Sequence, residues 1–287
     1  MKTLIIIPVF NEEKNIEKCL KSLLNQTHRI SQITVVNDGS NDKTDDILTK
    51  ISKKYGSVNY VIKNDSLPVA KPGKKIIQAF NYGLKNSISD YELIGKFDAD
   101  ILLPHDYFKI MIQKFKKIQQ LGLVSGTIAI NKNEKWVVED IYNKNHVRGG
   151  IKLYKKEAFD KIRGLVESIG WDTVDEMNLL YSNYKIKVYH KIICKQLRIT
   201  GKRYSKSKFI NQGRVMYLMG YDILLCLIGS FKFSIKNISL IPFFFSLYGY
   251  FSAWSNRDKK IVSNNLSKFV RSYRYKNMFK KVINKDY

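Results

Sequence analysis

Three short apolar runs follow one another along the first hundred residues, and each ends in acids or asparagine. They are Ile5-Ile6-Ile7-Pro8-Val9-Phe10-Asn11-Glu12-Glu13, Ile33-Thr34-Val35-Val36-Asn37-Asp38-Gly39-Ser40-Asn41-Asp42-Lys43-Thr44 and Ile94-Gly95-Lys96-Phe97-Asp98-Ala99-Asp100. A short continuous apolar run reads as a strand buried on both faces, as in a parallel sheet. Amphipathic stretches separate the runs. The segment from about Glu13 to Asn25 places Ile16, Cys19, Leu20, Leu23 and Leu24 on one helical face. Residues from Lys43 to Lys54 do the same with Ile47, Leu48 and Ile51. The βαβα order predicts an α/β fold with a doubly wound, mostly parallel sheet. Ligands of such sheets bind outside the C-terminal strand ends, where these acids emerge.

Further expectations follow along the chain. Val58–Lys63, Glu92–Asp98, Leu123–Ile130 and Lys187–His190 read as strands, with Val147–Tyr154 pairing near Leu123–Ile130. Lys74–Asn86, Asp106–Gln120, Lys156–Ile162 and Asp175–Tyr184 read as helices.

Asp98-Ala99-Asp100 is the sharpest motif. Two carboxylates at i and i+2 after a strand can face Mg²⁺ or Mn²⁺ and leave sites for water and diphosphate oxygens. Asp38, in a turn that can also cap the next helix, is a candidate acceptor for a base or ribose. Val9 and Phe10 can wall a base. Glu12 and Glu13 suit a helix start whatever their function. Lys74, after Pro72-Gly73, can meet a phosphate at a helix N-terminus. Gly170-Trp171-Asp172-Thr173-Val174-Asp175-Glu176 brings three carboxylates and a Trp to a helix start. One of them can serve as general base, or they can simply cap and charge the helix. His190, Arg198 and Arg214 are candidate diphosphate contacts.

Taken together, these motifs resemble the inverting family 2 glycosyltransferases of the GT-A fold. The resemblance covers roughly residues 1–195 and implies a nucleotide-sugar donor, UDP ahead of GDP, and a divalent metal. It implies that Pro8, Val9, Phe10, Glu12 and Asp38 hold the nucleoside. Asp98 and Asp100 serve ribose, metal and diphosphate. The base comes from Asp175-Glu176, with Asp172 an outside candidate. The Gln-x-x-Arg-Trp signature of processive members is absent from the sequence, where Gln212-Gly213-Arg214-Val215-Met216-Tyr217 stands instead. That favours addition of a single sugar over polymer synthesis, and attachment to a membrane would suit a glycan or lipid-linked acceptor. A polyprenyl-phosphate sugar synthase, whose acceptor phosphate needs no base, is the rival enzyme.

Charge divides the chain of 287 residues and net charge +25. Residues 177–287 hold 22 Lys/Arg against three acids, Asp222, Asp258 and Asp286. Basic residues such as Lys191, Lys195, Arg198, Lys202, Arg203 and Arg214 surround two apolar segments, Val215–Phe231 and Ile238–Trp254. The expectation is a basic, helical region over 196–287 that associates with an anionic membrane surface. It lies in the interface or dips in as a hairpin, since basic flanks on both sides oppose a single span. A second soluble subdomain with its own core is the alternative. A basic nucleic-acid-binding protein is the distant alternative, but no nucleic-acid motif accompanies the charge, so nucleic acid is not an expected partner. The start of the chain reads as no signal peptide. Three scattered cysteines, Cys19, Cys194 and Cys226, form neither a disulfide framework nor a zinc pattern. The expected location is cytoplasmic, peripheral or monotopic on the cytoplasmic face.

Overall fold

The computed structural model describes residues 1–63, 73–139, 144–198 and 206–283, the last three as backbone only. Pro72, Lys202, Arg203 and Asp286 lie outside the described residues. The chain divides into two units, residues 1–167 with 171–200 and residues 168–170 with 201–287.

In the first unit, β1 (Thr3–Val9), α1 (Ile16–Leu24), β2 (Gln32–Asn37), α2 (Thr44–Lys54), β3 (Val58–Ile62), α3 (Lys74–Lys85) and β4 (Leu93–Phe97) alternate as the apolar periodicity predicts. They are followed by β5 (Ile101–Leu102), α4 (Tyr107–Lys117), β6 (Leu121–Lys132), β7 (Lys135–Val138), β8 (Ile151–Lys155), α5 (Lys156–Lys161), α6 (Trp171–Tyr181) and β9 (Lys185–Gln196). One sheet runs β3-β2-β1-β4-β8-β6-β9-β5, with β7 on β6. The β3-β2-β1-β4 half is parallel. Beyond it β8 is antiparallel to both β4 and β6, while β6 and β9 run parallel. The doubly wound pattern therefore holds for the first half and gives way to a mixed sheet in the second.

The core follows from the runs that announced the strands. Leu4, Ile5, Ile6, Ile7, Ile33, Val35, Leu93 and Ile94 are fully buried. Ile16, Cys19, Leu20 and Leu23 of α1 pack on one face with Phe108 and Met111 of α4. Ile77 and Phe80 of α3 pack on the other with Tyr154, Phe159 and Trp171. Because β1, β2 and β4 are parallel neighbours in register, Val9 beside Asn37 and Ile6 beside Lys96, their C-terminal ends share one edge. That edge carries Phe10, Asp38 and Asp98.

Strands β5 and β7 are additions to the expected elements, the strand expected over Val147–Tyr154 is Ile151–Lys155, and two further differences bear on the site. The helix expected over Asp175–Tyr184 begins at Trp171, because Trp171 and Val174 are drawn into the core. It ends before Asn183, which takes a left-handed backbone (φ 62°). The short strand expected over Lys187–His190 is the twelve-residue β9. Its Lys and Ile residues alternate along one half-exposed strand, so His190 sits mid-strand, with Nδ1 3.3 Å from Thr127 Oγ1.

The second unit comprises α7 (Lys206–Leu218), α8 (Ile223–Asn237), α9 (Ile241–Ser255) and α10 (Asn264–Ile283). The apolar stretch Val215–Phe231 is not one segment. Gly220 takes φ 74°, and Asp222 caps α8 by accepting the Leu225 N–H at 2.9 Å. Tyr275 Oη donates to the same carboxylate at 2.7 Å. Arg271 reaches the Gly220 carbonyl at 2.7 Å, and Arg214 pairs with Asp258 at 2.9 Å. Among the described residues no helix is long and apolar enough to cross a membrane.

Candidate active site

At the shared sheet edge, Asp38 is 4% exposed and its N–H donates to the Val9 carbonyl at 2.9 Å, tying the ends of β1 and β2 together. Lys63 and Lys75 each bring an ammonium to 3.5 Å from its carboxylate. Lys75 also lies 4.7 Å from the centre of the Phe10 ring, which is half exposed. An acid, two cations and an open aromatic face thus stand together. Just before Phe10, at the end of β1, Val9 is buried and Pro8 partly buried. Lys74 opens α3 next to Lys75, with Gly73 (φ 79°) as the cap.

The second cluster is acidic. Glu12 and Asp100 are 5% and 1% exposed, and one cation, Arg198, approaches both. Arg198 Nη1 is 2.9 Å from Glu12 Oε1, and its Nε is 3.9 Å from Asp100 Oδ2. Gln196 Nε2 donates to Asp100 Oδ2 at 3.1 Å, and Asn15 Nδ2 to Glu12 Oε2 at 2.8 Å. Burial pushes the carboxyl pKa of Glu12 and of Asp100 upward. Asp98 adds to that push at both, whereas Arg198 opposes it. Mutual repulsion of this kind is what a bound cation relieves. Asp98 keeps a third of its side chain exposed. Gly150 makes room for it, since a Cβ at Gly150 would stand 2.6 Å from Asp98 Oδ2. Asp98 and Asp100 fit a hard cation that retains water and takes phosphate oxygens, the habit of Mg²⁺ and Mn²⁺. Among the described residues no group of three or more His, Cys, Asp or Glu makes an all-protein cage.

A third cluster surrounds α6. Lys96 of β4 and Lys152 of β8 face each other across the antiparallel ladder, both buried. Like charges opposed across a ladder repel, so each needs its own acid. Lys96 bonds Asp98. Lys152 donates to Asp175 Oδ1 at 2.8 Å, to Oδ2 at 2.7 Å and to the Asp172 carbonyl at 2.7 Å. The Trp171 ring lies 5.3 Å from Lys96 Nζ and 5.4 Å from Lys152 Nζ. Asp175, 2% exposed, also accepts from Tyr154 Oη and from the Glu176 N–H. Burial lifts its pKa to about 6 against the pull of Lys152.

Glu176 is turned inward too. Its Oε1 accepts the Val147 N–H at 2.6 Å and lies 3.0 Å from His146 Nδ1. The other imidazole nitrogen, Nε2, is 3.5 Å from Asp172 Oδ2. Burial disfavours the charged imidazole, but Asp172 and Glu176 outweigh it and raise His146 to about 9. Burial likewise opposes ionisation of Asp172, and His146 with Lys152 outweighs it, holding Asp172 at about 2. Of the three acids on α6, Asp172 has the most exposed side chain, 35% against 1% for Asp175 and 7% for Glu176. Gly149 packs against the Trp171 ring and Asp172 Cβ, and Gly150 against Asp98. Two consecutive glycines therefore lie between Asp98, just past β4, and Asp172 on α6.

The structure thus gathers Phe10, Asp38 and Lys75 in one cluster, Glu12, Asp98, Asp100 and Arg198 in a second, and Asp172, Asp175 and Glu176 in a third. His190 and Arg214 pair elsewhere, with Thr127 and Asp258. Sequence reasoning passed over Lys63, Lys75, His146, Lys152, Tyr154 and Gln196. Lys96 stood inside a quoted run without a role. Lys96–Asp98 and Lys152–Tyr154 are each i, i+2 pairs on one strand face, which is a readable signal. His146 joins through a loop and left none.

The sequence model of glycosyl transferase family 2 matches residues 4–163, more than half of the chain. Three curated relatives agree. A Methanococcus voltae dolichyl N-acetyl-alpha-D-glucosaminyl phosphate 3-beta-D-2,3-diacetamido-2,3-dideoxy-beta-D-glucuronosyltransferase is 32% identical over 54% of this chain and 48% of its own length. The glycosyltransferase GlyA of Streptococcus pneumoniae is 24% identical over 83% of this chain and 31% of its own. A Staphylococcus epidermidis poly-beta-1,6-N-acetyl-D-glucosamine synthase is 32% identical over 42% and 27%. The chain spans less than half the length of each of these relatives. In fold, it resembles S. aureus TarS 1–349 in complex with UDP-GlcNAc, with TM-score 0.58, 19% identity, and 78% of this chain against 68% of that one. It also resembles the Pyrobaculum calidifontis mannosyltransferase PcManGT in complex with GDP-Man and Mn²⁺, with TM-score 0.57, 14% identity, and 98% against 81%. With a matching family model over more than half of its length, this chain belongs to glycosyltransferase family 2.

Proposed function

We propose that the protein moves one sugar from a nucleoside-diphosphate sugar to a hydroxyl of a glycan acceptor, with inversion, and that Asp172 is the base. The observation that carries this reading is the Asp172 side chain, 35% exposed where Asp175 and Glu176 are buried. It stands on the first turn of α6 and is joined through Gly149 and Gly150 to Asp98. Asp175 and Glu176 act through others. Asp175 fixes Lys152, which holds the Asp172 carbonyl, and Glu176 fixes His146, which faces the Asp172 carboxylate.

In this reading Phe10, Asp38 and Lys75 receive the nucleoside, with Pro8, Val9 and Glu12 behind them and Lys74 near the phosphates. Asp98 and Asp100 would hold Mg²⁺ or Mn²⁺, which when bound supplies positive charge for the departing diphosphate. Arg198 is the protein's own cation at that end. Asp172 accepts the proton of the acceptor hydroxyl, whose oxygen bonds to the anomeric carbon. The bond from that carbon to the diphosphate breaks on the opposite face, and the leaving group keeps the electron pair. With a pKa near 2, Asp172 is ionised throughout the physiological range, so the proton reaches it only as the new bond forms.

Support for the donor class comes from the two fold neighbours, one with UDP-GlcNAc and one with GDP-Man and Mn²⁺. UDP is the first expectation and GDP the second. The dolichyl phosphate in the name of the M. voltae relative supports a lipid-linked acceptor. Attachment to the cytoplasmic face of an anionic membrane suits such an acceptor, and the basic C-terminal composition supports it.

The test is a panel of UDP-, GDP- and dTDP-sugars with Mg²⁺ or Mn²⁺, read by thermal shift and by release of nucleoside diphosphate. One nucleotide should stabilise the protein in a metal-dependent way that Asp100→Ala abolishes. No response to any donor from the folded protein overturns the reading. Product with the donor's anomeric configuration overturns inversion.

A further inference from the structure

Helices α8 and α9 are built with their large apolar side chains facing out. On α8 the exposed residues Leu224, Leu227, Phe231 and Ile235 follow one another at helical spacing and continue into Ile238. On α9 the exposed residues Ile241, Phe244, Tyr248 and Phe251 do the same. The buried faces carry small residues instead: Cys226, Ser230 and Ser234 on α8, and Pro242, Ser246, Gly249 and Ala253 on α9. Leu225 and Tyr250 are the large exceptions. A helix pair stabilised by water would show the reverse arrangement.

The inward contacts are close backbone contacts. Gly213 of α7 lies against the Ser246 carbonyl, and Gly249 lies against the Ile210 carbonyl. Any Cβ at either glycine would collide with backbone. Small residues that let helix backbones touch, with bulky apolar residues turned away, are the packing habit of helices whose solvent is lipid.

The turn between the helices extends the pattern. Ile238 is 95% exposed and takes a left-handed backbone (φ 49°). A β-branched residue there is strained. Leu240, Ile241 and Phe244 continue the tip and are all more than half exposed. Residues 223–256 contain two lysines, Lys232 and Lys236, and no acid. Each helix has 15 residues and is about 22 Å long, short of the roughly 30 Å of a hydrocarbon core. The hairpin is therefore long enough to enter one leaflet and too short to cross.

We propose that the α8–α9 hairpin inserts tip first into one leaflet of a bilayer, with Ile238–Phe244 deepest and the Leu224–Ile235 and Tyr248–Trp254 faces against lipid. The basic composition around it matches an anionic headgroup layer. This deepens the membrane part of the proposed function and rests on that part alone, not on the sugar-transfer chemistry.

The test is flotation of the whole protein with phosphatidylcholine vesicles, with and without phosphatidylglycerol, at low salt and at high salt. Wild type should stay on the anionic vesicles at high salt, and brominated lipid should quench Trp254, with the quenching lost in Trp254→Phe. The double substitution Ile238→Glu/Phe244→Glu changes exposed positions only. It should keep the fold by circular dichroism and lower vesicle binding at high salt roughly tenfold or more. If wild type binds only anionic vesicles and only at low salt, and the variant binds equally, insertion is overturned while peripheral attachment stands. If wild type binds no vesicle, both fall. A stable dimer in light scattering that the same substitution dissolves, without vesicle binding, would show that a second copy covers this face and would also overturn the proposal.

Discussion

The Lys152–Asp175 pair makes the energetic argument for α6 measurable. Lys152 is 0% exposed and Asp175 2% exposed, so neither charge has water. The ammonium gives two bonds to the carboxylate and one to the Asp172 carbonyl. In Lys152→Met the shape is kept and all three bonds are lost. Asp175 is left with Tyr154 and the Glu176 N–H, and Asp172 loses its tether. Removing one partner of a buried pair costs about 3–5 kcal/mol, most of it the stranded charge. The assay is urea unfolding of wild type, Lys152→Met, Asp175→Leu and the double variant at pH 7. Each single variant should lose about 3–5 kcal/mol, and the double variant should lie within about 2 kcal/mol of wild type because no charge is stranded. Asp175 already has its carboxyl pKa lifted to about 6, and losing Lys152 raises it further. The Lys152→Met penalty should therefore shrink at pH 5, where the acid takes a proton. Additive single losses, or a Lys152→Met cost below about 1 kcal/mol, would refute the reasoning.

Two further predictions concern neighbouring residues. His146 is raised to about 9 from an ordinary value near 6.5, so the folded protein binds its proton more tightly than the unfolded chain. The stability this gives is complete below about pH 6.5 and fades as pH climbs through 9, on the order of 3 kcal/mol at most. Urea midpoints should fall across that window in wild type and stay flat in His146→Gln. Gly150→Ala places a methyl against Asp98, costing about 1–3 kcal/mol in stability. It should weaken donor binding roughly tenfold, the loss expected when a metal-ligating side chain or its hydrogen-bond partner is displaced. Isothermal titration with the donor identified in the panel, in the presence of metal, reads this change.

How much was legible in the sequence depended on how each residue makes its contacts. Strands β1, β2 and β4 could be read because burial on both faces writes a continuous apolar run, and their ends set Asp38 and Asp98 along one sheet edge. The start of α6 was misread. Local propensity makes Asp172-Thr173 look like a cap, whereas burial of Trp171 pulls the helix four residues earlier and carries Asp172 into its first turn. That shift turned an outside candidate into the open acid. Strand β9 hid behind its lysines, since a half-exposed strand of alternating Lys and Ile resembles a basic tail. The partners of the acids were the least legible. Lys152 and Asp175 are 23 residues apart, and His146 lies on a loop without a pattern. In the helical unit, composition showed apolar segments but not their inversion, which needs the burial of each face.

The most direct test of the account is Asp172→Asn, compared with Asp175→Asn and Glu176→Gln, under saturating donor and metal. Donor affinity and circular dichroism should match wild type in Asp172→Asn, while kcat falls roughly 10²–10⁴-fold. The other two variants should lose stability and a smaller share of turnover. Full turnover in a folded Asp172→Asn protein would contradict the assignment. The account would equally fail if Glu176→Gln lost all activity while remaining as stable as wild type.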